Sequence, residues 1–578
     1  METQTKTEMK ETKKRQAVNM TGAEAIIRSL IAEETETIFG YPGGAMIPTY
    51  DALYNFEKEV NHILVRHEQG AIHAAQGFAR VTGKTGVAMV TSGPGATNTV
   101  TGLADAMLDS TPLVVITGQV GSSLLGTDAF QETDVVGITQ PITKWNFQVK
   151  KAEDIPYAIA KAFFIARSGR PGPVLIDITK DAQTAQFDYL YKKIKSIRSY
   201  IPRPTIDKSS IESAVQLINL AKKPMILAGQ GIILGNAEQE LITFAEKTGI
   251  PVAWTLLGLS SIPSNHPLNI GMLGMHGNYG PNIKTNEADL IIAIGMRFDD
   301  RVTGDLNSYA IKAKVIHLEI DPAEINKNVH ADVPVLGDVK DSLPLLTEKV
   351  NKNNHESWLE EFKACDRIEK TRIIEKEINP PTGGIKMGEV IHKVSTAFND
   401  DAIMVTDVGQ HQMMSSRYFK FKQSRSVVTS GGLGTMGFGL PAAIGAKLGN
   451  PERPVCLFVG DGGLQMTIQE MGTILQSKIP VKIVLLNNNY LGMVRQWQEL
   501  FFESRYSSTN LINPDFQTIA KGYKIESNKV TNREDLQNAV EKMITHNGPY
   551  LLEVLVEKEG NVFPMVPAGA SVSDIRLE

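Results

Sequence analysis

The sequence has few of the features that mark secreted, membrane or nucleic-acid-binding proteins. Its 578 residues include two cysteines, Cys365 and Cys456, whose separation forms no metal-binding spacing and favours a reducing compartment. No apolar run approaches the roughly 18 residues that a membrane span requires. Long basic runs are also missing, and the net charge of −5 gives no support for nucleic-acid binding. The composition therefore gives no support for these three classes and is ordinary for a globular protein.

The first twenty residues lack the apolar stretch of a secretory signal, being rich in Thr, Lys and Glu. Glu2, Glu8 and Glu11 disfavour a transit peptide, because such peptides contain few acidic residues. We expect a disordered tail over residues 1–20 and a cytoplasmic protein.

The rest of the chain alternates helix and strand patterns, with ordinary fractions of hydrophobic (42%) and charged (21%) residues. Such alternation is typical of parallel sheets covered by helices. The fold class is therefore predicted as α/β, with three domains that each have a central, mostly parallel sheet flanked by helices. The predicted divisions are an N-terminal domain at 21–190, a linker at 188–210, a central domain at 200–350, a C-terminal domain at 380–560 and a C-terminal tail at 561–578.

The strongest local pattern is a strand, a tight turn, a helix and a second strand within residues 455–490. Asp461 follows the first strand and Asn488 follows the second, 27 residues later in the printed sequence. Because parallel strands end at the same sheet edge, this pattern predicts both side chains there. A carboxylate and an amide oxygen suit Mg²⁺, and the N–H groups of a helix that begins at Gly462 and Gly463 suit an anion. The pattern predicts a diphosphate ligand, although Gly-Asp-Gly alone is more often an ordinary turn.

A second candidate lies in Arg66-His67-Glu68-Gln69-Gly70, at the predicted start of a helix. A Glu in the first helical turn can simply complement the helix dipole. Alternatively, a carboxylate shielded from water can share a proton with a ligand. His67 is interpreted as a structural histidine.

Together with the diphosphate motif and Glu68, several further segments resemble the acetohydroxyacid synthase (acetolactate synthase) large-subunit family of thiamine-diphosphate (ThDP) enzymes, from about Thr21 to Gly569. The segments are Tyr41-Pro-Gly-Gly44, Thr91-Ser-Gly-Pro-Gly-Ala-Thr-Asn98, Thr127-Asp-Ala-Phe-Gln-Glu132, Ser168-Gly-Arg-Pro-Gly-Pro173, Arg297-Phe-Asp-Asp-Arg-Val-Thr-Gly304, Gly409-Gln-His-Gln-Met413 and Gly431-Gly-Leu-Gly-Thr-Met-Gly-Phe-Gly439.

The resemblance implies ThDP and Mg²⁺ as cofactors. Asp461, Asn488 and the backbone carbonyl of Tyr490 would bind the metal, and Glu68 would activate the cofactor through its aminopyrimidine ring. Met436 would lie under the cofactor rings, although simple core packing is the alternative for a Met. The ThDP-binding residues implied in this way are Glu68, Val408, Gln410, His411, Gly434, Met436, Gly460, Asp461, Gly462, Gly463, Asn488, Tyr490, Leu491, Gly492 and Met493.

The same resemblance implies that Gly44, Gln131 and Glu68 are the catalytic residues. The backbone N–H of Gly44 could stabilise a developing alkoxide, and a turn with positive φ is the alternative role for this glycine. Gln131, Met493 and Trp497 would line the substrate pocket, with Trp497 favouring 2-oxobutanoate as the acceptor. Core packing is the alternative for Met493 and Trp497, which lie four residues apart on a predicted helix.

The segment from Arg297 to Gly304 resembles the flavin-binding part of the biosynthetic members of this family. Arginines can bind a diphosphate, and a carboxylate past a strand can accept a ribityl hydroxyl group. We therefore expect FAD in a non-redox role. The residues implied for FAD are Arg170, Gly229, Gly231, Thr255, Leu256, Met275, His276, Gly295, Arg297, Asp299, Arg301, Val302, Asp321, Gly337 and Asp338.

The resemblance implies condensation of two pyruvates to 2-acetolactate and CO₂, or of pyruvate with 2-oxobutanoate, in branched-chain amino acid biosynthesis. It also implies a homodimer or homotetramer and a small regulatory subunit. Gly121 and Met414 depart from many relatives, and the departure at Gly121 puts inhibitor response in doubt. A flavin-linked pyruvate oxidase, a 2-oxoacid decarboxylase and a non-catalytic cofactor-binding protein stay open as alternatives.

Overall fold

The computed structural model describes residues 17–578, which contain three six-stranded sheets and one antiparallel strand pair. Every strand pairing within the three large sheets is parallel. The predicted α/β class, with three helix-flanked sheets, is confirmed. Among these residues, no helix is long and apolar enough to cross a membrane.

The N-terminal sheet is built from buried strands rich in Val and Ile. From edge to edge its strands are Asn61–Leu64, Thr37–Tyr41, Gly86–Val90, Leu113–Gln119, Pro173–Thr179 and Trp145–Val149. Its helices are Gly22–Ala32, Ile47–Tyr54, Glu68–Thr82, Pro94–Thr97, Val100–Leu108, Val135–Thr139, Ile155–Arg167 and Lys180–Thr184.

The C-terminal sheet repeats the strand order of the N-terminal sheet. From edge to edge its strands are Val427–Val428, Ile403–Thr406, Val455–Gly460, Lys482–Asn487, Tyr550–Leu555 and Glu526–Val530. In both sheets the second strand of the domain lies at one edge, followed by the first, third, fourth, sixth and fifth. The helices of the C-terminal domain are Met387–Ala397, Gln410–Tyr418, Gly439–Gly449, Asp461–Met466, Met471–Ser477, Gly492–Phe501, Phe516–Gly522 and Arg533–Thr545.

The central sheet has a different order, in which the first and fourth strands are neighbours in the middle. Its strands from edge to edge are Asn269–Met272, Val252–Trp254, Pro224–Ala228, Leu290–Ile294, Lys314–Glu319 and Val333–Leu336. This is the order of doubly wound dinucleotide-binding sheets, whose ligands bind where the strand order reverses. The helices are Lys208–Leu220, Gln230–Leu234, Glu238–Thr248, Tyr279–Thr285, Asp300–Thr303 and Val339–Lys349, followed by Glu356–Glu369, the π-helix Lys370–Ile374 and Glu375–Ile378.

The N-terminal and C-terminal domains of the chain pack through two helices that meet at glycines. On Glu68–Thr82, a Cβ added to Gly77 would lie 2.0 Å from the carbonyl oxygen of Ala442. On Gly439–Gly449, a Cβ added to Gly445 would lie 1.7 Å from the carbonyl oxygen of Ala74. No side chain larger than hydrogen fits at either point, so the two backbones are in direct contact.

The structure differs from the expectation for the predicted tail at residues 1–20. Residues 1–16 lie outside the described part of the chain. Val18–Thr21 forms a strand that pairs antiparallel with Gln186–Tyr189, at the other end of the N-terminal domain. Thr21 and Glu24 then form a capping box at the start of the first helix. The expectation of disorder is therefore wrong for residues 18–20, because a partner strand distant in sequence pairs with them.

The predicted tail at 561–578 packs on the central domain. The Val566 N–H donates to the carbonyl oxygen of Met275 over 2.8 Å, and Ser571 forms a β-bridge with Gly304. Val562, Met565 and Val566 are buried. This segment closes one side of the central domain.

Candidate active site

Asp461 and Asn488 lie at the same edge of the C-terminal sheet, as their positions in the sequence predict. Asp461 follows Val455–Gly460 and Asn488 follows Lys482–Asn487, and these two strands are parallel neighbours. Asp461 is buried, and Asn513 Nδ2 donates a hydrogen bond to its Oδ2 over 2.6 Å. Burial raises the pKa of Asp461, while the Asn513 hydrogen bond opposes that rise. A bound cation would favour the ionised carboxylate further.

The side-chain amide of Asn488 is oriented by two hydrogen bonds. Its Nδ2 donates to Gln410 Oε1 over 3.4 Å, and its Oδ1 accepts the N–H of Tyr490 over 3.2 Å. Between them, Asn489 has a φ of 58°, in the left-handed region, which turns the chain sharply after the strand. An amide oxygen has two lone pairs, so Asn488 retains one for a metal ion.

A cavity of about 50 Å³ lies directly at this sheet edge. Of the residues implied for ThDP, those in its wall are Val408, Gln410, His411, Met436, Gly460, Asp461, Gly462, Gly463, Asn488, Tyr490, Leu491, Gly492 and Met493. Gly434 lines the neighbouring large cavity instead. Met387, Gly409, Leu486 and Val494 also line this pocket and are not among the implied residues.

The chemistry of the pocket fits a magnesium diphosphate. The Nε2 atom of His411 is buried without a hydrogen-bond partner within the described chain, and burial lowers the pKa of His411 to about 3. The ring also donates a hydrogen bond to the backbone of Asp407, so an anionic oxygen at Nε2 would favour a second ring proton. A Cβ on Gly492 would lie 2.1 Å from Gln410 Oε1, so a larger residue at this position would displace the Gln410 side chain. One carboxylate, one amide oxygen and backbone groups are the donors that Mg²⁺ and a diphosphate require.

A much larger cavity, of about 1020 Å³, lies between the central domain and parts of the other two domains. Val408, Gly409, Met436, Met493 and Val494 line both cavities, so the two spaces share one wall. Trp497 also lines the large cavity, and its ring centroid lies 5.1 Å from that of Phe501. The predicted substrate residues Met493 and Trp497 are therefore brought together.

Most residues implied for FAD line the large cavity. Those in its wall are Arg170, Gly231, Thr255, Leu256, Met275, His276, Gly295, Arg297, Asp299, Arg301, Val302 and Asp338. Gly229, Asp321 and Gly337 are not among the lining residues of the described chain. Gly229 has a packing role, because an added Cβ would lie 2.2 Å from the carbonyl oxygen of Gly295 at the reversal of strand order.

Polar groups in the large cavity fit a ligand with phosphate and hydroxyl groups. Arg297 and Arg301 supply positive charge, and Asp299 holds the turn between them by accepting the N–H groups of Arg301 and Val302. The Nδ1 atom of His276 is buried without a partner in the described chain, and burial lowers the pKa of His276 to about 4. The cavity volume, the strand order and this donor set together suit a dinucleotide.

Two glutamates of this cavity were not predicted. Glu319 ends its strand and lines the wall, and burial raises its pKa to about 7. Glu324 also lines the wall and accepts a hydrogen bond from Arg170 Nη1 over 2.7 Å, whereas Asp321 lies 3.4 Å from the same atom. Glu319 could have been found from the sequence as the last residue of its strand. The prediction instead chose Asp321, which comes two residues later.

The predicted catalytic residues gather at the corresponding edge of the N-terminal sheet. Glu68 begins its helix, and its Oε2 accepts a hydrogen bond from Asn98 Nδ2 over 2.9 Å. Gln131 packs against Gly93, where an added Cβ would lie 2.8 Å from the carbonyl oxygen of Gln131. Asn98 belongs to a quoted motif but was not predicted as a partner of Glu68.

Gly44 lies in the same group, since the Thr91 side chain contacts Gly43 and accepts the N–H of Ala45 over 3.3 Å. The φ of Gly44 is not in the left-handed region, so the alternative of a turn with positive φ is wrong. An added Cβ at Gly44 would meet no described atom of the chain within 4 Å. The space beside this glycine is open.

Glu68, Gly44 and Gln131 are absent from the walls of both cavities within residues 17–578. A single chain therefore presents two separate groups of candidate residues. One lies at the edge of the N-terminal sheet, and the other lies at the edge of the C-terminal sheet.

Comparison with known proteins assigns this arrangement to a family. The chain matches the profiles of the thiamine pyrophosphate enzyme N-terminal TPP binding domain at residues 20–138, the central domain at 211–346 and the C-terminal TPP binding domain at 407–554.

Relatives of known name match nearly the whole chain. It is 48% identical to the acetolactate synthase large subunit of Corynebacterium glutamicum, covering 96% of this chain and 90% of the relative. It is 46% identical to that of Lactococcus lactis, covering 95% and 94%, and 45% identical to the isozyme 2 large subunit of Escherichia coli K12, covering 96% and 99%. The chain therefore belongs to the thiamine pyrophosphate enzyme family, and within it to the acetolactate synthase large subunits.

Proposed function

We propose that this enzyme condenses two pyruvates to 2-acetolactate and CO₂, or pyruvate and 2-oxobutanoate to 2-aceto-2-hydroxybutanoate and CO₂, in branched-chain amino acid biosynthesis. The observation that carries the proposal is the shared wall between the diphosphate pocket and the large cavity. Met436 and Met493 belong to both, and Trp497 continues that wall. A cofactor held in the small pocket thus has space for a second substrate beside it.

Mg²⁺ and the diphosphate are held, in this proposal, by Asp461, Asn488 and the backbone carbonyl of Tyr490. His411 faces the diphosphate through its unpartnered Nε2 atom, and Gly492 leaves room for the side chains of Gln410 and Asn488. When bound, ThDP supplies a carbon nucleophile and stores the electron pair released with CO₂. The protein contributes orientation, electrostatics and proton transfer.

Glu68 holds the proton that activates the cofactor ring, and Asn98 fixes its carboxylate by the 2.9 Å hydrogen bond. Gly44 presents an N–H beside an open space, where it can stabilise negative charge on a reacting oxygen. Gln131 packs against the turn at Gly93 and contacts the substrate. Met493 and Trp497 form the acceptor pocket, and the width of that pocket selects 2-oxobutanoate against pyruvate.

A homodimer is the minimal assembly in this proposal, with a homotetramer as the larger form. Glu68 of one copy would complete the pocket of Asp461 in another copy, because the two groups lie apart within one chain. Exposed apolar side chains beside the N-terminal group support such a contact. Phe130, the neighbour of Gln131, is 88% exposed, and Tyr41 is 40% exposed.

FAD occupies the large cavity in a non-redox role, according to the proposal. Arg297 and Arg301 bind its phosphates, and His276 and Glu319 face its polar groups. The printed names of the relatives call them large subunits, which supports a small regulatory subunit as a further partner.

Product identification from pyruvate tests the reaction. We expect 2-acetolactate and CO₂ when both ThDP and Mg²⁺ are supplied, and neither product when either is withheld. Reduction of an artificial electron acceptor without acetolactate would instead favour a flavin-linked pyruvate oxidase. Release of acetaldehyde alone would favour a 2-oxoacid decarboxylase.

A further inference from the structure

Two buried aspartates of the N-terminal domain contact a loop of the C-terminal domain. Asp105 lies in the helix Val100–Leu108 and Asp109 lies just after it, and both are fully buried. Being four residues apart on a helix, they face the same side. They contact residues 430–436, hereafter the glycine loop, which contains Gly434 and Met436.

Asp109 accepts main-chain hydrogen bonds from consecutive glycines of this loop. Its Oδ2 accepts the N–H of Gly431 over 2.8 Å, and its Oδ1 accepts the N–H of Gly432 over 2.6 Å. Arg80 Nη2 donates to the same Oδ2 over 2.6 Å. The carboxylate is thus fully engaged, and it holds the loop by backbone groups that every residue except proline would offer.

Asp105 binds the side chains at the two ends of the same turn. Its Oδ1 accepts hydrogen bonds from the hydroxyl groups of Ser430 and Thr435. The N–H of Thr435 donates to the Ser430 hydroxyl over 2.8 Å, which closes the loop on itself. Burial, together with the negative charge of Asp109, raises the pKa of Asp105 to about 6.

The glycine loop belongs to the C-terminal domain and contacts both of the other domains. A Cβ on Gly432 would lie 2.9 Å from Asp109 Oδ1 and 3.4 Å from Arg297 Nη2 of the central domain. A Cβ on Gly431 would lie 2.8 Å from the side chain of Leu257. The loop lines the large cavity, and its Met436 lines the diphosphate pocket as well.

Two buried carboxylates near a single arginine are costly to fold. A loop that needed only to be ordered could use neutral side chains instead. The charged arrangement fixes the positions of two consecutive backbone N–H groups, those of Gly431 and Gly432, in the loop that carries Met436.

We propose that Asp109, supported by Asp105, is a positioning residue for the cofactor: it fixes the glycine loop so that Gly434 and Met436 have the geometry that ThDP requires. This inference rests on the proposed function. It assigns to the N-terminal domain of each chain a role in the pocket of that same chain, in addition to any role of its Glu68.

Asp109→Asn tests the inference, because one side-chain oxygen then becomes an NH₂ group that faces a backbone N–H or Arg80. Hydrogen–deuterium exchange of the apoprotein should be about tenfold faster in peptides covering 430–436 and unchanged in the other domains. The dissociation constant for ThDP with Mg²⁺, measured by calorimetry, should rise by about tenfold or more.

Glu33→Gln is the matched control. Glu33 is a buried carboxylate of the same domain and pairs with Arg167 Nη2 over 2.7 Å, but it does not contact the glycine loop. We expect normal exchange in 430–436 and normal ThDP affinity. Gly432→Ala disturbs the contact from the loop side and should weaken ThDP binding in the same way, even if Asp109→Asn does not fold.

Parental ThDP affinity in Asp109→Asn and Gly432→Ala would overturn the inference, whether or not the exchange of the loop changed. Equal weakening in Glu33→Gln would also overturn it, since the effect would then be a general loss of stability. If the parent protein itself failed to bind ThDP, the proposed function would fail, and the positioning role would fail with it.

Discussion

Glu68 illustrates how a single side chain acquires a role from its neighbours. The residue begins a helix, where a carboxylate is favourable in any protein. Two neighbours place the Glu68 carboxylate in addition to the helix. Asn98 donates a hydrogen bond to it, and the absence of a side chain at Gly95 leaves room for it, since a Cβ there would lie 3.4 Å from Glu68 Oε1. The Glu68 carboxylate can therefore bind a ligand as well as stabilise the start of its helix.

Replacing Glu68 with Gln should abolish most of the activity without loss of cofactor binding. An amide cannot exchange a proton with the cofactor ring, so kcat for acetolactate formation should fall by about a hundredfold or more. Steady-state kinetics at saturating ThDP measure this. His67→Asn is the control, because His67 Nδ1 only caps the helix by accepting the N–H of Gln69, and Asn is also a good cap. Undiminished activity in Glu68→Gln would remove the proposed role.

Asp177 should make stability depend on pH. It is fully buried in the strand Pro173–Thr179, and burial raises its pKa to about 6 although Gln148, Thr117 and Gln119 donate hydrogen bonds to it. Because the folded state retains a proton that the unfolded chain has already lost, Asp177 contributes stability below its ordinary pKa. That contribution disappears as the pH rises through about 6, and it amounts to about 3 kcal/mol.

Asp177→Asn removes this titration. The free energy of unfolding of the parent, relative to that of the variant, should fall by up to about 3 kcal/mol between about pH 4 and about pH 7. Denaturant unfolding of both proteins over this range gives the difference. A difference that did not change with pH would contradict the prediction.

The sequence predicts single residues well where they follow a strong strand. Asp461 and Asn488 meet because each comes directly after a buried, β-branched strand, and parallel strands end together. Asn98 and Asp109 could not be predicted in this way. Their partners lie across a turn or a domain boundary, and helical periodicity does not specify what packs against a face.

At the scale of whole elements, the pair of helices Glu68–Thr82 and Gly439–Gly449 connects the two halves of the chain. Their backbones touch at Gly77 and Gly445. Since the first helix begins with Glu68, the crossing determines how that residue is placed relative to the C-terminal domain. A small change at the crossing should therefore affect both stability and activity.

Gly445→Ala should destabilise the protein, because its Cβ would lie 1.7 Å from the carbonyl oxygen of Ala74. Such overpacking costs about 1–3 kcal/mol, which outweighs the gain of up to about 1 kcal/mol from replacing a helical glycine. Gly522→Ala, at the end of Phe516–Gly522, is the control, since no described atom lies within 4 Å of the added Cβ. Calorimetric unfolding should show a lower Tm for Gly445→Ala alone; equal Tm values in the two variants would refute the account of the crossing.

Long apolar runs make some strands predictable from the sequence. Val455–Gly460 and Leu113–Gln119 are continuous apolar runs, as expected for strands buried on both faces. Trp145–Val149 and Glu526–Val530 lack such a pattern, because exposure at a sheet edge lets Asn, Gln, Glu and Lys enter them. The pairing of Val18–Thr21 with Gln186–Tyr189 was missed because its partner is distant in sequence.

At the scale of the whole molecule, the repeated strand order makes the N-terminal and C-terminal domains structural counterparts. Each presents its candidate residues at the edge of its sheet where the parallel strands end, which is where ligands bind in such sheets. Neither cavity wall of the described chain contains Glu68, Gly44 or Gln131, and our proposal therefore places the two halves of a site on different copies. Two copies related by a twofold axis would join the halves into two complete sites.

Complementation between two inactive variants tests this central claim most directly. Copies with Glu68→Gln and copies with Asp461→Ala, carrying different affinity tags, are produced together, and the mixed dimer is isolated through both tags. One of its two sites then has both intact residues, so the mixed dimer should show about half of the parental activity, while each variant alone is nearly inactive. A mixed dimer as inactive as the two variants alone would show that Glu68 and Asp461 act within one chain, and would contradict the shared site.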